Sequence, residues 1–207
     1  MKMAVTKLRL AVSILILISG ITMAKAQGTV TFDAHNNWVG TNYVELQMAF
    51  QVVLPRGGSY DYMGIGYGAG NTPYNGTPWM GWIRQNNPYG YVSLSLTNGS
   101  LFGLTSVQLA DPIYPSASPL SISWVGHLSN GSTVTNIFTT PGNTRAFLNF
   151  LFTSDFSSGL TSVDILAPRW AMDNLVWVPE PTTWALLAVG VGMLSCVWFR
   201  SSKKQHR

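Results

Sequence analysis

Hydrophobic and polar residues alternate along much of the chain between Gly28 and Val178, and no sustained apolar spacing of 3.6 residues interrupts them. Alternation at every second position is typical of β-strands that bury one face. The pattern therefore predicts a series of short strands. They are Thr29–Phe32, Tyr43–Val53, Tyr91–Leu96, Ile122–Val125, Val134–Phe138, Phe147–Phe152 and Val163–Leu166.

Tyr43–Val53 has the longest alternating run of the chain. Glu45 falls on the polar side of this alternation, so we expect a solvated side chain there rather than a catalytic one. The opposite, apolar side is predicted to hold Val44, Leu46, Met48, Phe50 and Val52.

Turn-forming residues separate the predicted strands. Asn98-Gly99 and Asn130-Gly131 match the residue pair of a type I′ hairpin turn. Together with Asn75, these asparagines also begin Asn-Gly-Thr or Asn-Gly-Ser sequences, which match the glycosylation sequon. We interpret them as turns in preference to glycosylation sites. Short strands with such connections predict an all-β, antiparallel β-sandwich or jelly-roll-like domain, which we assign to residues 27–178.

The N-terminus has the pattern of a secretory signal peptide helix, residues 1–26. A basic start precedes an apolar run at 10–19, and the small residues Ala24 and Ala26 frame a cleavage site. Gln27 is then the predicted first residue of the mature protein. An uncleaved N-terminal anchor is the alternative.

The C-terminus has the pattern of a membrane anchor. The uncharged stretch 182–199 has about the minimum length of a transmembrane helix. A basic tail follows at 200–207, which predicts a cytoplasmic C-terminus and a domain on the other side of the membrane. Its basic residues are Arg200, Lys203, Lys204 and Arg207.

Pro179-Glu180-Pro181, the apolar helix and the basic tail together resemble the PEP-CTERM sorting signal of Gram-negative bacteria, over residues 179–207. The preceding Met172–Val178 is similar to the Asp-Asn strand that often comes before this signal, and Leu120–Val176 resembles the second half of the β-sandwich domains in such proteins. The resemblance implies export by the Sec machinery and transient anchoring in the inner membrane. Cleavage by the membrane protease-transpeptidase exosortase and release to the cell surface or extracellular polysaccharide matrix would follow. A simple C-terminally anchored membrane protein is the alternative.

The distribution of charge and the number of cysteines each exclude one class of protein. The net charge of +4 comes from the ends, because residues 27–180 hold four basic and eight acidic residues, a net −4. Nucleic-acid binding needs clustered Lys and Arg on the folded domain, so no nucleic-acid partner is expected. Cys196 is the only cysteine, which excludes a disulfide scaffold.

Catalytic and metal-binding patterns are weak. Glutamate occurs only at positions 45 and 180, and His35 and His127 lack the spacing of a zinc site. Serine is abundant enough for a Ser-His-Asp triad, but Gly-x-Ser-x-Gly is absent. We expect Asp164 to face solvent and Asp173 to hydrogen-bond a buried turn, with a structural Ca²⁺ as the alternative at Asp173. The sequence thus predicts a structural or adhesive protein with no catalytic activity, metal or cofactor.

Gly58–Tyr91 is unusually rich in tyrosine and tryptophan among Gly, Asn and Pro. Aromatic faces pack well against sugar rings, so an alternative function is a polysaccharide-binding module that uses this stretch as a loop, with exopolysaccharide as a candidate partner. The competing interpretation is that the rings complete the core or cover Gly-rich turns. The candidate glycan contacts are Tyr74, Trp79, Trp82 and Tyr89.

Overall fold

A computed structural model describes residues 27–33, 38–55, 62–66, 73, 75–83, 89–113, 118–142, 144 and 146–180 of the chain. The predicted signal peptide with Ala24 and Ala26, the predicted helix at 182–199 and the basic tail lie outside these residues. Within them, no helix is long and apolar enough to span a membrane.

The described residues form an all-β fold in which every strand pairing is antiparallel, as the alternation predicts. One 3₁₀ turn, Ser154–Phe156, precedes β12. The strands are β1 (Gly28–Val30), β2 (Trp38–Gly40), β3 (Asn42–Glu45), β4 (Met48–Val53), β5 (Tyr62–Gly66), β6 (Trp79–Ile83), β7 (Tyr91–Leu96), β8 (Phe102–Ala110), β9 (Leu120–Leu128), β10 (Thr133–Thr140), β11 (Leu148–Leu151), β12 (Leu160–Leu166) and β13 (Arg169–Pro179).

The strands divide into two halves that bury a common core. The first half has the order β2-β5-β6-β13-β8, with β1 beside β13 and β11 beside β8; the second has β12-β7-β4-β3, with β9 beside β12 and β10 beside β9. A single residue pair, Leu160 with Phe102, connects them. Both halves contribute to one apolar cluster, so the arrangement is sandwich-like. Its largest buried side chains include Trp82, Trp124, Trp170, Phe32, Phe50, Phe102 and Phe156.

The central strand β13 carries one extra residue in its middle. Trp170 and Met172 are buried in the core before this point, whereas Leu175 and Trp177 are buried after it. The inward-facing positions thus change from even to odd numbers, and the register against β8 shifts at the same place. Asn174 lies there with φ of 48°. Because asparagine tolerates the left-handed region better than most residues, it suits this β-bulge.

A second bulge in β8 compensates for the first. Thr105 has no partner in the register with β13, and its carbonyl oxygen accepts a hydrogen bond of 3.0 Å from the Phe152 N–H. In both strands the side chains that face the core therefore switch between even and odd positions at the same place. The register of β13 against β8 is the same before and after the bulges. The core residues of β8 are Phe102 and Leu104 before the bulge and Val107 and Leu109 after it.

The prediction of one strand over Tyr43–Val53 is wrong. The chain turns at Leu46 and Gln47, both of which have positive φ, and forms the hairpin β3–β4. The turn changes the phase of the alternation, so Val44 and Leu46 are exposed while Tyr43 is buried. The predicted apolar face is correct only for its second half, Met48, Phe50 and Val52.

The Asn-Gly sequences form turns, but of a different type from the one predicted. A type I′ turn needs positive φ at both central residues, whereas among these pairs only Gly99 and Gly131 have positive φ. Their N–H groups close turns onto the carbonyl oxygens of Leu96 (3.0 Å) and Leu128 (2.9 Å). The second turn joins β9 to β10 as a hairpin, whereas the first connects β7 to β8, which do not pair.

Candidate functional site

The predicted sorting motif begins inside the last strand of the domain. Pro179 ends β13 and pairs with the start of β8. The Glu180 N–H donates to the Leu101 carbonyl oxygen over 3.1 Å, and the Glu180 carboxylate accepts from the Gly159 N–H. Pro181 lies outside the described residues. The first two residues of the motif are therefore held by the folded domain.

The limits of the folded unit lie close to the predicted processing positions. One compact unit spans Gln27–Glu180. It starts at the predicted first mature residue and extends two residues beyond the predicted domain end at Val178, because β13 continues through Pro179. Cleavage at either end stays a prediction.

The Asp-Asn pair before the motif anchors a partly buried polar cluster. Asp173 hydrogen-bonds a turn, as expected, but this turn is not a buried one, since Asn75 and Gly76 are exposed. The fully buried Asp173 carboxylate accepts hydrogen bonds from Asn75 Nδ2 (2.6 Å), Thr77 Oγ1 (2.9 Å) and the Asn174 N–H (2.7 Å). The Asn174 amide donates to Gln108 Oε1 over 3.1 Å. The bulge in β13 and the turn at Asn75 are thereby tied to each other.

The surroundings of Asp173 do not fit the alternative of a bound Ca²⁺. Calcium is held by six to eight oxygen ligands, whereas the Asp173 oxygens face three hydrogen-bond donors. The Asn75 Oδ1 atom, in turn, accepts from the Thr77 N–H (3.2 Å) and Thr77 Oγ1 (2.9 Å). Across the described part of the chain, no three His, Cys, Asp or Glu side chains lie together as metal ligands would.

Glu45 is not the solvated side chain that its place in the sequence suggests. Its Oε1 accepts from the Thr31 N–H over 3.0 Å, and its Oε2 accepts from the Phe32 N–H (3.1 Å) and the Tyr43 hydroxyl (2.5 Å). Phe32 has φ of 59°, so the carboxylate stabilises an unusual backbone conformation after β1. Burial, followed by the hydrogen bond to Glu45, raises the pKa of Tyr43 far above its ordinary value.

Two other carboxylates bind side chains of distant strands. The buried Asp111 accepts from Arg169 Nε and Nη2, both at 2.8 Å, and this contact raises the pKa of Arg169. Asp164 Oδ2 lies 2.9 Å from His127 Nε2, so the expectation of a purely solvated Asp164 is wrong. Burial, with a smaller contribution from Asp164, raises the pKa of Tyr91. These carboxylates connect strands that are distant in sequence.

The aromatic stretch is not a single loop, since it contains β5 and β6. Trp82 is fully buried against Trp170, with ring centroids 6.5 Å apart. Trp79 is also buried, and its indole covers Gly66 and Gly81, where an added Cβ atom would collide with the ring. The prediction that these two tryptophans contact a glycan is therefore wrong, because neither presents a ring face to solvent.

The other two candidate glycan contacts differ from the tryptophans. Tyr74 lies outside the described residues. Tyr89 precedes β7, and 52% of its surface is exposed. Among the three candidates within the described residues, Tyr89 is thus the exposed one.

Comparisons with known proteins give distant structural likenesses only. No family model and no curated protein sequence matches the chain. The CBM22-1 xylan-binding domain of Paenibacillus barcinonensis Xyn10C is 11% identical, with a TM-score of 0.39 over 73% of this chain and 92% of that chain. The C-terminal family 22 carbohydrate-binding module of Clostridium thermocellum Xyn10B is 12% identical, with a TM-score of 0.43 over 75% of this chain and 95% of that chain. These likenesses are too remote to assign a family or a ligand.

Replacement of Asp173 tests whether the polar cluster stabilises the fold. Asp173→Ala would leave three donors without their acceptor, and we expect a loss of about 2–4 kcal/mol in the free energy of unfolding. The exposed Asp155→Ala should change it by less than about 0.5 kcal/mol. Urea unfolding followed by tryptophan fluorescence measures both, and equal small effects would contradict the assignment.

The same pair of variants has an expected pH dependence. Burial raises the pKa of Asp173 above 3.8, outweighing the hydrogen bonds from Asn75, Thr77 and Asn174. A carboxyl group with a raised folded-state pKa contributes stability that is full below its unfolded pKa and is lost as pH rises through the folded pKa. The deficit of Asp173→Ala should therefore grow as the pH is lowered through the raised folded-state pKa of Asp173 toward 3.8, and a deficit that shrinks would contradict this sign.

Proposed function

We propose that this protein is an exported, non-enzymatic β-domain protein that exosortase processes at its C-terminus. Its destination is the cell surface or the extracellular polysaccharide matrix, where the domain has a structural or adhesive role. The Sec machinery delivers the chain, and the C-terminal helix holds it in the inner membrane until processing.

The observation that carries this proposal is the position of the folded unit between the two predicted targeting segments. Along the sequence, the unit Gln27–Glu180 follows the predicted signal peptide and precedes the predicted apolar helix with its basic tail. Pro179 and Glu180 are fixed by β8 and by Gly159. Cleavage near the motif would thus release a domain whose last strand is already complete.

The carboxylates support a structural role for the domain. A glycosidase needs two carboxyl groups that face one substrate. Here Glu45, Asp111, Asp164 and Asp173 each hold hydrogen-bond partners that connect separate strands or turns. Those contacts stabilise the fold and occupy the oxygen atoms that acid–base chemistry would use.

Replacement of Pro179-Glu180-Pro181 by three alanines in the native host tests the proposal. We expect the wild-type chain to lose its C-terminal segment and the triple variant to accumulate in the inner membrane with the basic tail intact. Fractionation followed by immunoblotting against the β-domain and against a tag after Arg207 measures both. An unchanged distribution of the triple variant would favour the simple membrane anchor.

Two controls separate loss of sorting from loss of folding. Gln at position 180 keeps an oxygen that can accept from the Gly159 N–H, so Glu180→Gln should retain the domain contact while it removes the charge of the motif. Protease resistance of the β-domain in membranes should be the same for wild type, Glu180→Gln and the triple variant. A protease-sensitive triple variant would indicate misfolding rather than failed recognition.

Polysaccharide binding is a second candidate function, favoured by the half-exposed ring of Tyr89. A test through Trp82 is uninformative, since removal of a buried tryptophan costs about 3–5 kcal/mol and disturbs the fold. Tyr89→Ala should instead abolish pull-down by the host exopolysaccharide and keep the unfolding midpoint within a few degrees. Undiminished pull-down by Tyr89→Ala, or none by the wild type, would exclude this ring as a glycan contact.

A further inference from the structure

The eight-residue strand β10 is an unusually long open edge. Five strands have a single hydrogen-bonded neighbour within the described residues, namely β1, β2, β3, β10 and β11. Four of these have only three or four residues, whereas β10 spans Thr133–Thr140. Short edges are one of the devices by which proteins prevent strand pairing between molecules. Strand β10 lacks this protection.

The sequence of β10 also lacks the charges that usually protect an edge. Lysine, inward-pointing charges and proline are the common blocking residues, and none occurs between Thr133 and Thr140. From Ser129 to Ser154, Arg145 is the only charged residue. The net −4 of the domain is thus carried elsewhere, and pairing of two such edges would bring no charges into contact.

The exposed side chains of β10 are three threonines, Thr133, Thr135 and Thr139, and the apolar Ile137. Ile137 on β10 is 65% exposed and Leu151 on β11 is 69% exposed, the highest values among the described large hydrophobic residues. The two strands meet at this edge of the core, where the rings of Phe138 and Phe150 stack with centroids 5.0 Å apart. Phe138 also contacts the rings of Trp124 and Phe152, so the inner face of β10 is packed onto the core while its second face carries the exposed residues.

We propose that β10 pairs antiparallel with β10 of a second copy and forms a two-fold symmetric dimer with a continuous sheet. The occupant follows from the self-complementary pattern of the strand. A two-fold axis at Asn136 would set Thr135 opposite Ile137 of the second copy and Thr133 opposite Thr139. Each exposed side chain then meets another β-branched one, a favourable cross-strand pairing. The outward N–H and C=O groups of β10 gain partners at the same time.

Ile137→Lys tests the dimer, with Val44→Lys as the matched control. Both replace an exposed β-branched residue on an edge strand, since Val44 on β3 is 53% exposed. In the proposed dimer, each lysine would lie opposite Thr135 of the second copy and diagonally across the axis from the other lysine, within reach of like-charge repulsion. We expect wild type and Val44→Lys to be dimeric and Ile137→Lys to dissociate at least about 10-fold more readily, a change of about 1.4 kcal/mol.

Native mass spectrometry of the full chain, released from detergent over a range of concentrations, measures the dissociation constant. Equal thermal unfolding midpoints of the three proteins would exclude loss of fold as the cause. A monomeric wild type would overturn the proposal, as would a wild type that pairs only with strands of other proteins. A dimer that persists in Ile137→Lys would also overturn it, because another surface then holds the copies together. None of these outcomes depends on processing by exosortase.

Discussion

The paired bulges in β13 and β8 are the constraint on which the rest of the fold depends. Without the extra residue at Asn174, the odd-numbered side chains Leu175 and Trp177 would leave the core, because a shift of one residue turns every later side chain to the opposite face. Thr105 makes the same correction in β8, so the two central strands stay in register. The buried carboxylate of Asp173 fixes the bulge by binding the Asn174 N–H and the turn at Asn75.

This arrangement gives the Asp-Asn sequence before the C-terminal segment a physical role. The buried Asp173 carboxylate binds the Asn174 N–H and two side chains of the Asn75 turn, and Asn174 supplies the left-handed conformation. After the bulge, β13 continues as the central strand to Pro179, and Glu180 contacts Leu101 and Gly159. The candidate sorting motif is therefore a direct continuation of the strand that organises the core. Folding of the domain and the position of the motif are coupled through this strand.

Much of the fold could be predicted from local patterns, and the errors have identifiable causes. Strand β7 matches the predicted Tyr91–Leu96 because its alternation is uninterrupted. Strand β8 was absent from the prediction, since the bulge at Thr105 breaks its alternation into two short pieces. The turn at Leu46-Gln47 contains none of the residues that usually mark a turn, so the hairpin β3–β4 resembles one strand.

The side chains of the candidate sites were harder to predict than the strands. Glu45 lies at a polar position of its strand, but two of its three partners, Thr31 and Phe32, come from the segment after β1, more than ten residues earlier in the chain. The Trp79 ring covers Gly81, two residues later on the same strand β6, and Gly66 on the neighbouring strand β5, which the sequence does not place beside it. The hydrogen-bonding role of Asp173 could be predicted because this residue precedes an Asn in a recognisable strand. Its partner, the turn at Asn75, is distant in sequence and could not be identified.

The intact mass of the mature protein, isolated from membrane and medium fractions of its native host, tests whether the chain is processed at both ends of the β-domain. We expect a species that begins at Gln27 and ends between Pro179 and Thr182, which corresponds to the folded unit and little else. A species found only in the membrane and still ending at Arg207 would contradict it. The β-domain would then be a permanently anchored one, with no processing by exosortase.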